Sequence, residues 1–286
     1  MEKKALLGAH ISFRHEDQLL GSIKDLLLIG ATSGALYISD SRGYRKSFLI
    51  SEEKSLAGKE LAKENGFNIE NIIVHAPMVG NLANIEKEKD TWALTVQSYI
   101  ADLKRLKAAG LKYYNFHPGS AVDQDLGIKQ CARGINQMHK ETQGDKTIVL
   151  IETMMKKGNY IGKNFAQIAE IISLIEDKSR IGVCFDTCHV WDGGYDIKND
   201  LPGVLDEFDK VIGLKYLLGL HINDSKNELG SGKDRHELIG KGYIGLKALH
   251  AVVNHPILRN LPKALETPYG KDDFRKWSRE IKMLTN

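Results

Sequence analysis

Eight short apolar runs, none longer than seven residues, punctuate the 286-residue sequence and leave little choice of architecture. They lie at 6–12, 35–39, 71–76, 113–117, 147–153, 181–187, 217–223 and 263–267. Most are nearly continuously apolar, without strict alternation, as parallel strands covered on their outer side should be. Longer segments with helical periodicity fall between them, most clearly at 51–65, 86–109, 123–141, 164–176 and 273–283. In the second of these, Leu94, Ile100, Leu103 and Leu106 recur with charges between them. Gly66, Gly110 and Gly144 stand where helix C-caps are expected. The helical pattern is weakest toward the N-terminus. Strand and helix in alternation predict a (β/α)8 TIM barrel, a single domain over residues 1–286, with an open doubly wound sheet as the alternative. There is no linker, low-complexity tract or internal repeat.

Composition narrows the function. A net charge of +3 excludes a global polycation, so nucleic-acid binding would need a local basic surface. Three cysteines, Cys131, Cys184 and Cys188, cannot complete a disulfide framework and suit a reducing compartment. No signal peptide and no apolar run of about 18 residues is present, which predicts a cytoplasmic protein without a membrane span.

A (β/α)8 enzyme builds its site where strands end, and these ends carry metal-type residues. The third and fifth runs carry His75 and Glu152 one residue before their ends, the fourth finishes at His117, the sixth carries Asp186 with His189 just beyond it, the seventh His221, and the eighth Glu266. A polar, glycine-rich stretch at 227–242, predicted to be a loop, adds Asp234 and His236. One histidine at a strand end is more often a hydrogen-bonded core residue than a ligand. Six consecutive ends of this kind are not explained that way, and buried carboxylates without partners are costly. Imidazole and carboxylate without thiolate suit catalytic zinc or manganese. With one bridging carboxylate, nine side chains give ten bonds to metal, enough for three ions with open positions. Three divalent ions carry +6 and the four carboxylates −4. The remainder favours an anionic phosphodiester substrate.

With these motifs in order, Gly8-Ala-His-Ile-Ser, Phe185-Asp-Thr-Cys-His189, His221-Ile-Asn-Asp-Ser-Lys226, Asp234-Arg-His236 and Leu265-Glu-Thr-Pro, the chain resembles the endonuclease IV family along nearly its whole length. The resemblance implies zinc-dependent cleavage of double-stranded DNA 5′ to abasic sites, leaving a 3′-hydroxyl and a 5′-deoxyribose phosphate, with trimming of blocked 3′ ends. It implies three zinc ions per chain, with manganese acceptable at one. His75 and His117 would hold the first, sharing Glu152 with a second held by Asp186, His221 and Glu266. His189, Asp234 and His236 would hold the third. Glu152, as the bridge, is also the catalytic assignment, and the enzyme is expected to act as a monomer.

Loops on the same face should grip DNA. The segment Asp40-Ser-Arg42-Gly-Tyr44-Arg45-Lys46 is basic with an aromatic, and its Arg42 matches a family arginine that enters DNA at the lesion. Met78 stands where the family often has tyrosine; it can wedge apolar bulk but offers no phenol. Lys226 could contact phosphate, and His10 could support the ligands or simply pack. His15, His139, His250 and His255 are expected at the surface, and Cys184 in the core. The stretch Leu229-Gly-Ser-Gly-Lys-Asp lacks the spacing of a phosphate loop. Two other readings remain at this point: a sugar isomerase or epimerase on the same barrel, which needs no Asp234–His236 pair, and a lesion-binding module without chemistry.

Overall fold

The computed structural model describes residues 4–44, 49–85, 91–269 and 276–286. Its principal strands are β1 (Gly8–Ile11), β2 (Gly34–Tyr37), β3 (Ile72–His75), β4 (Tyr113–Phe116), β5 (Ile148–Glu152), β6 (Ile181–Asp186), β7 (Leu217–Ile222) and β10 (Lys263–Leu265). Seven of them lie within the apolar runs, and β2 begins one residue before its run, at Gly34. They close into a parallel barrel in the order β1-β10-β7-β6-β5-β4-β3-β2. The architecture is the (β/α)8 TIM barrel. A two-stranded antiparallel ribbon, β8 (Asp224–Ser225) with β9 (His236–Glu237), interrupts the stretch read as loop.

The helices are α1 (Gln18–Leu28), α2 (Glu52–Glu64), α3 (Thr91–Ala109), α4 (Gln124–Glu141), α5 (Phe165–Ser173), α6 (Thr187–Gly193), α7 (Leu201–Val211), α8 (Leu246–Asn254) and α9 (Trp277–Thr285). Short polar side chains start several of them. Ser51 accepts from the amide of Lys54, Asp123 from Leu126, Asn164 from Gln167 and Asp200 from Gly203. Gly66 and Gly110 take left-handed φ of 66° and 75° just past α2 and α3, conformations that cost other residues more. The predicted starts of the helices at 86–109 and 273–283 fall on residues outside those described.

Ala35, Ile73, Leu150, Cys184 and Ala264 fill the barrel interior, and a larger apolar cluster packs the helices against its outside. Cys184 is thus core, as expected. Gly8 permits closure at β1: a Cβ there would fall 1.7 Å from the Ser33 carbonyl oxygen. At the N-terminal end of the barrel, fully buried Lys263 donates to the carbonyls of Leu6, Leu258 and Leu261 at 3.3, 2.6 and 2.8 Å. The opposite, C-terminal mouth is left to the polar residues. Among the described residues, no helix is long and apolar enough to cross a membrane.

Candidate metal centre

Parallel strands all end on one face, so the last residue of each is brought to a common mouth. His75, Glu152 and Asp186 are the last residues of β3, β5 and β6; His117 and Glu266 stand one residue beyond β4 and β10. His221 precedes the last residue of β7. His189 is not at a strand end. It sits on α6, which begins immediately after β6 because the Asp186 carboxylate accepts the His189 amide at 2.8 Å. Asp234 and His236 arrive on the arm around β9.

Six of the other eight gather around Glu152, which is fully buried, and His189 links it to Asp234 and through it to His236. Its Oε2 lies 3.3 Å from His75 Nε2 and 3.2 Å from His117 Nε2. Its Oε1 lies 3.3 Å from His189 Nδ1 and 3.1 Å from His221 Nδ1. His221 Nδ1 is also 3.4 Å from Glu266 Oε2. On the far side, Asp234 Oδ1 sits 3.2 Å from the Nε2 atoms of both His189 and His236.

Three overlapping groups with ligand-type atoms mutually within 4.8 Å hold eight of the nine: His75, His117 and Glu152; Glu152, Asp186, His221 and Glu266; and Asp186, His189 and His236; Asp234 groups instead with His236 and Cys188. Ligands at ~2.0–2.2 Å from a tetrahedral zinc sit roughly 3.3–3.5 Å apart, so this spacing fits an ion in each group. The ring orientations fit as well. The Nδ1 atoms of His75, His189 and His236 face the carbonyl oxygens of Ala76, Thr153 and Glu266 at 2.7, 2.9 and 3.2 Å. A carbonyl can only accept, so Nδ1 carries the proton and the Nε2 lone pair turns inward. His236 Nε2, despite its nearness to Asp234, has no hydrogen-bond partner.

The electrostatics call for added positive charge. Among the described residues, no Lys or Arg pairs with Glu152 or Asp186, and imidazoles do that work instead. Burial alone would raise Glu152, yet His221 and His117 hold it well below the usual carboxylate range. Burial pushes Asp186 up, offset in part by His189 and His236. Burial would lower His189 and His221, but the surrounding carboxylates (with Cys184 beside His221) lift both well above the ordinary imidazole value. His236, against burial, is lifted to about 9 by Asp234. The carboxylates thus favour positive charge at His189, His221 and His236, the kind of charge that metal cations would supply.

A proton-release experiment follows. Imidazole must be neutral to bind a metal, so adding zinc to ion-free protein at pH 7.5 is expected to release protons, seen as buffer-dependent heat in calorimetry. Apparent affinity should rise with pH up to about 9. In the ion-free chain, the raised histidines stabilise the fold fully below pH 6.5, and that contribution is lost as pH climbs through about 9. Zinc binding without proton release would contradict this.

A family model described as "Xylose isomerase-like TIM barrel" matches residues 25–286. The "Probable endonuclease 4" of Bacillus thuringiensis (strain Al Hakam) is 42% identical over 98% of this chain and 94% of its own length. The chain belongs to the endonuclease IV family. The crystal structure of endonuclease IV from Thermus thermophilus superposes with a TM-score of 0.84 at 27% identity, covering 96% of this chain and 97% of that one. The 3-keto-D-glucoside 4-epimerase from E. coli, at 15% identity and TM-score 0.65 over 98% of each chain, shares the fold.

A cavity of about 550 Å³ opens over the cage, walled by Phe13, Tyr37, Met78 and Trp277. Met78 is half exposed on its rim. Arg42 is exposed nearby, and its loop is tied to the β3 loop by the Met78 amide on the Ser41 carbonyl and by the Tyr44 hydroxyl, which donates to Val79. Arg45 and Lys46 lie outside the described residues. Lys226 is on β8's flank with Nζ 4.0 Å from Glu237 Oε2. His10 supports rather than merely packs: its Nδ1 is 3.0 Å from Glu266 Oε1.

Several residues that orient the cluster were not singled out from sequence. Asn115 donates to Glu152, and Asn223 to Asp186 at 2.7 Å, with the amide of Glu266 returning to the Asn223 side chain at 3.0 Å. Asn115 lies two residues before His117 and Asn223 two after His221, and that spacing was the available signal. His139 corrects the expectation of a surface residue. It is buried, with Nε2 3.1 Å from the Arg180 carbonyl.

Proposed function

We propose that this chain is a zinc-dependent DNA-repair endonuclease that hydrolyses the phosphodiester 5′ to an abasic site in duplex DNA. It leaves a 3′-hydroxyl and a 5′-deoxyribose phosphate, and it trims blocked 3′ ends. The observation that carries this reading is the convergence of nine nitrogen and oxygen side chains at one barrel mouth, eight of them in three overlapping groups and Asp234 within 3.2 Å of His189 and His236. The identity to endonuclease 4 proteins over nearly the full chain supports it.

His75, His117 and Glu152 would hold one ion; Glu152, Asp186, His221 and Glu266 a second; His189, Asp234 and His236 a third. Divalent ions bound there would supply an activated water for in-line attack at phosphorus and would screen charge on the leaving 3′ oxygen. Glu152 keeps the first two positions at a fixed separation. The backbone carbonyls behind His75, His189 and His236 hold each ring in register. Tyr37, Phe13 and Trp277 narrow the approach and exclude bulk water from the cage. Met78 and Arg42, on the rim, fill the gap left by the missing base, and Lys226 contacts a phosphate. The protein works as a monomer in the cytoplasm, with zinc as its ordinary ion and manganese accepted at one position.

The test is incubation of zinc-loaded protein with a duplex carrying one abasic analogue, with and without chelator. One cut 5′ to the lesion, lost on chelation, is expected. An intact duplex, or cutting indifferent to chelator, would overturn the proposal, and turnover of a free ketose in its place would favour an epimerase. Binding to uncleaved duplex should weaken steeply with salt, because phosphate contacts release counterions. An affinity unchanged between 50 and 200 mM salt, roughly the range over which such binders lose several orders of magnitude, would count against DNA as substrate.

A further inference from the structure

Asp192 is a fully buried carboxylate that no ligand group includes. It lies on α6 three residues after His189, so one short helix presents both side chains on the same flank. Among the described residues no cation pairs with it. Its oxygens are instead occupied by neutral donors from the arm between β8 and β9 and its surroundings. Oδ1 accepts from the hydroxyls of Ser225 and Ser231 at 3.1 and 3.0 Å. Oδ2 accepts the backbone amide of Asp234 at 2.8 Å and faces Cys188 Sγ at 3.8 Å. The Asp192 carbonyl takes the amide of Gly232 at 3.1 Å.

These contacts converge on the segment that carries Asp234, beside the amide of Gly230 on the Trp191 carbonyl and that of Lys226 on the Arg235 carbonyl. Asp234 has φ +50°, a left-handed backbone rare outside glycine, asparagine and aspartate. Its neighbours Gly230 and Gly232 are left-handed too, at +73° and +64°. Such a segment has many alternatives in solution. The Asp192 clamp selects the one in which Asp234 Oδ1 reaches both His189 and His236. The returning part of the arm is held separately: Asp224 accepts the amides of Gly240, Gly242, Ile244 and Gly245 at 2.9–3.2 Å. Two buried carboxylates thus divide the work, and the one facing Asp234 is Asp192.

We propose that Asp192 is the positioning residue for the His189–Asp234–His236 metal position: it touches neither ion nor substrate, and it fixes Asp234 in the conformation that completes that position. The inference rests on the three-ion reading given above. Oriented outer groups of this kind typically change metal affinity by about 10–100-fold when altered.

The experiment is zinc titration of ion-free wild type, Asp192→Asn and Ser231→Ala, with bound zinc per chain and the affinity of each step as readouts and thermal melting as a check on folding. Asn keeps the size of Asp192 but replaces an acceptor with a donor. For Asp192→Asn the expected result is two steps unchanged and the remaining one weakened at least about tenfold. Ser231→Ala, which removes one donor from the same carboxylate, should weaken that same step by less. Three wild-type steps in a folded Asp192→Asn protein would overturn the inference. If Asp192→Asn does not fold, an unchanged third step in Ser231→Ala overturns it, and a selectively weakened one supports it. Wild type that takes up fewer than three zinc ions would instead overturn the three-ion reading, and this inference with it.

Discussion

Glu152→Gln is expected to lower the rate of incision at an abasic site by about a thousandfold or more, the scale seen when a preorganised charge-stabilising group is removed. The substitution keeps shape and volume, so the barrel should remain folded. The cage would lose one negative charge at the point where two ion positions share a ligand. An amide nitrogen, which only donates, would face one of the pairs that Glu152 now serves: His75 and His117 at 3.3 and 3.2 Å, or His189 and His221 at 3.3 and 3.1 Å. No rotation of the amide avoids this, because both oxygens are engaged. Single-turnover incision, with zinc content and melting measured on the same sample, checks the expectation. A folded variant within about tenfold of wild type would show that Glu152 is not the central ligand.

Stripping the ions should abolish cutting and also loosen the fold. An ion that binds only the folded chain, present at 1,000 times its dissociation constant, stabilises it by about 4 kcal/mol. In a barrel of this size, each kcal/mol moves the melting temperature by about 2–4 °C. The gain is discounted because protons on His189, His221 and His236 already balance part of the buried negative charge. A fall on the order of 10 °C on chelation, reversed by zinc, is the expected outcome of calorimetric melting. Loss should be slow, since the innermost ligands Glu152, Asp186 and His221 are fully buried. A melting temperature and activity that both ignore the chelator would remove the basis for metal chemistry.

The barrel was legible because strands covered on both sides are written as unbroken apolar runs, and 181–187 or 217–223 can hardly be anything else. The candidate ligands were legible for the complementary reason. Glu152 and Asp186 end such runs, where an unpartnered carboxylate would be costly. Helices α1, α6, α7 and α8 were not read, and for α6 the cause is local. Helix α6 follows β6 without a loop, since its N-cap is the functional Asp186 itself. The ribbon of β8 and β9 has two residues a side, and pairing across the intervening segment 226–235 leaves no periodic trace. His139 and Asp192 show what local reading misses. One is buried by the carbonyl of Arg180 and the other by an arm from beyond β7, partners set by tertiary structure alone. Leu94 is the reverse case, a helical apolar position that faces solvent.

Diffraction recorded at the zinc absorption edge from zinc-loaded crystals addresses the centre of this account most directly. Three anomalous peaks are expected in one cavity, among His75, His117 and Glu152, among Glu152, Asp186, His221 and Glu266, and among His189, Asp234 and His236. A single peak, or peaks that leave Glu152 without an ion on either side, would contradict it.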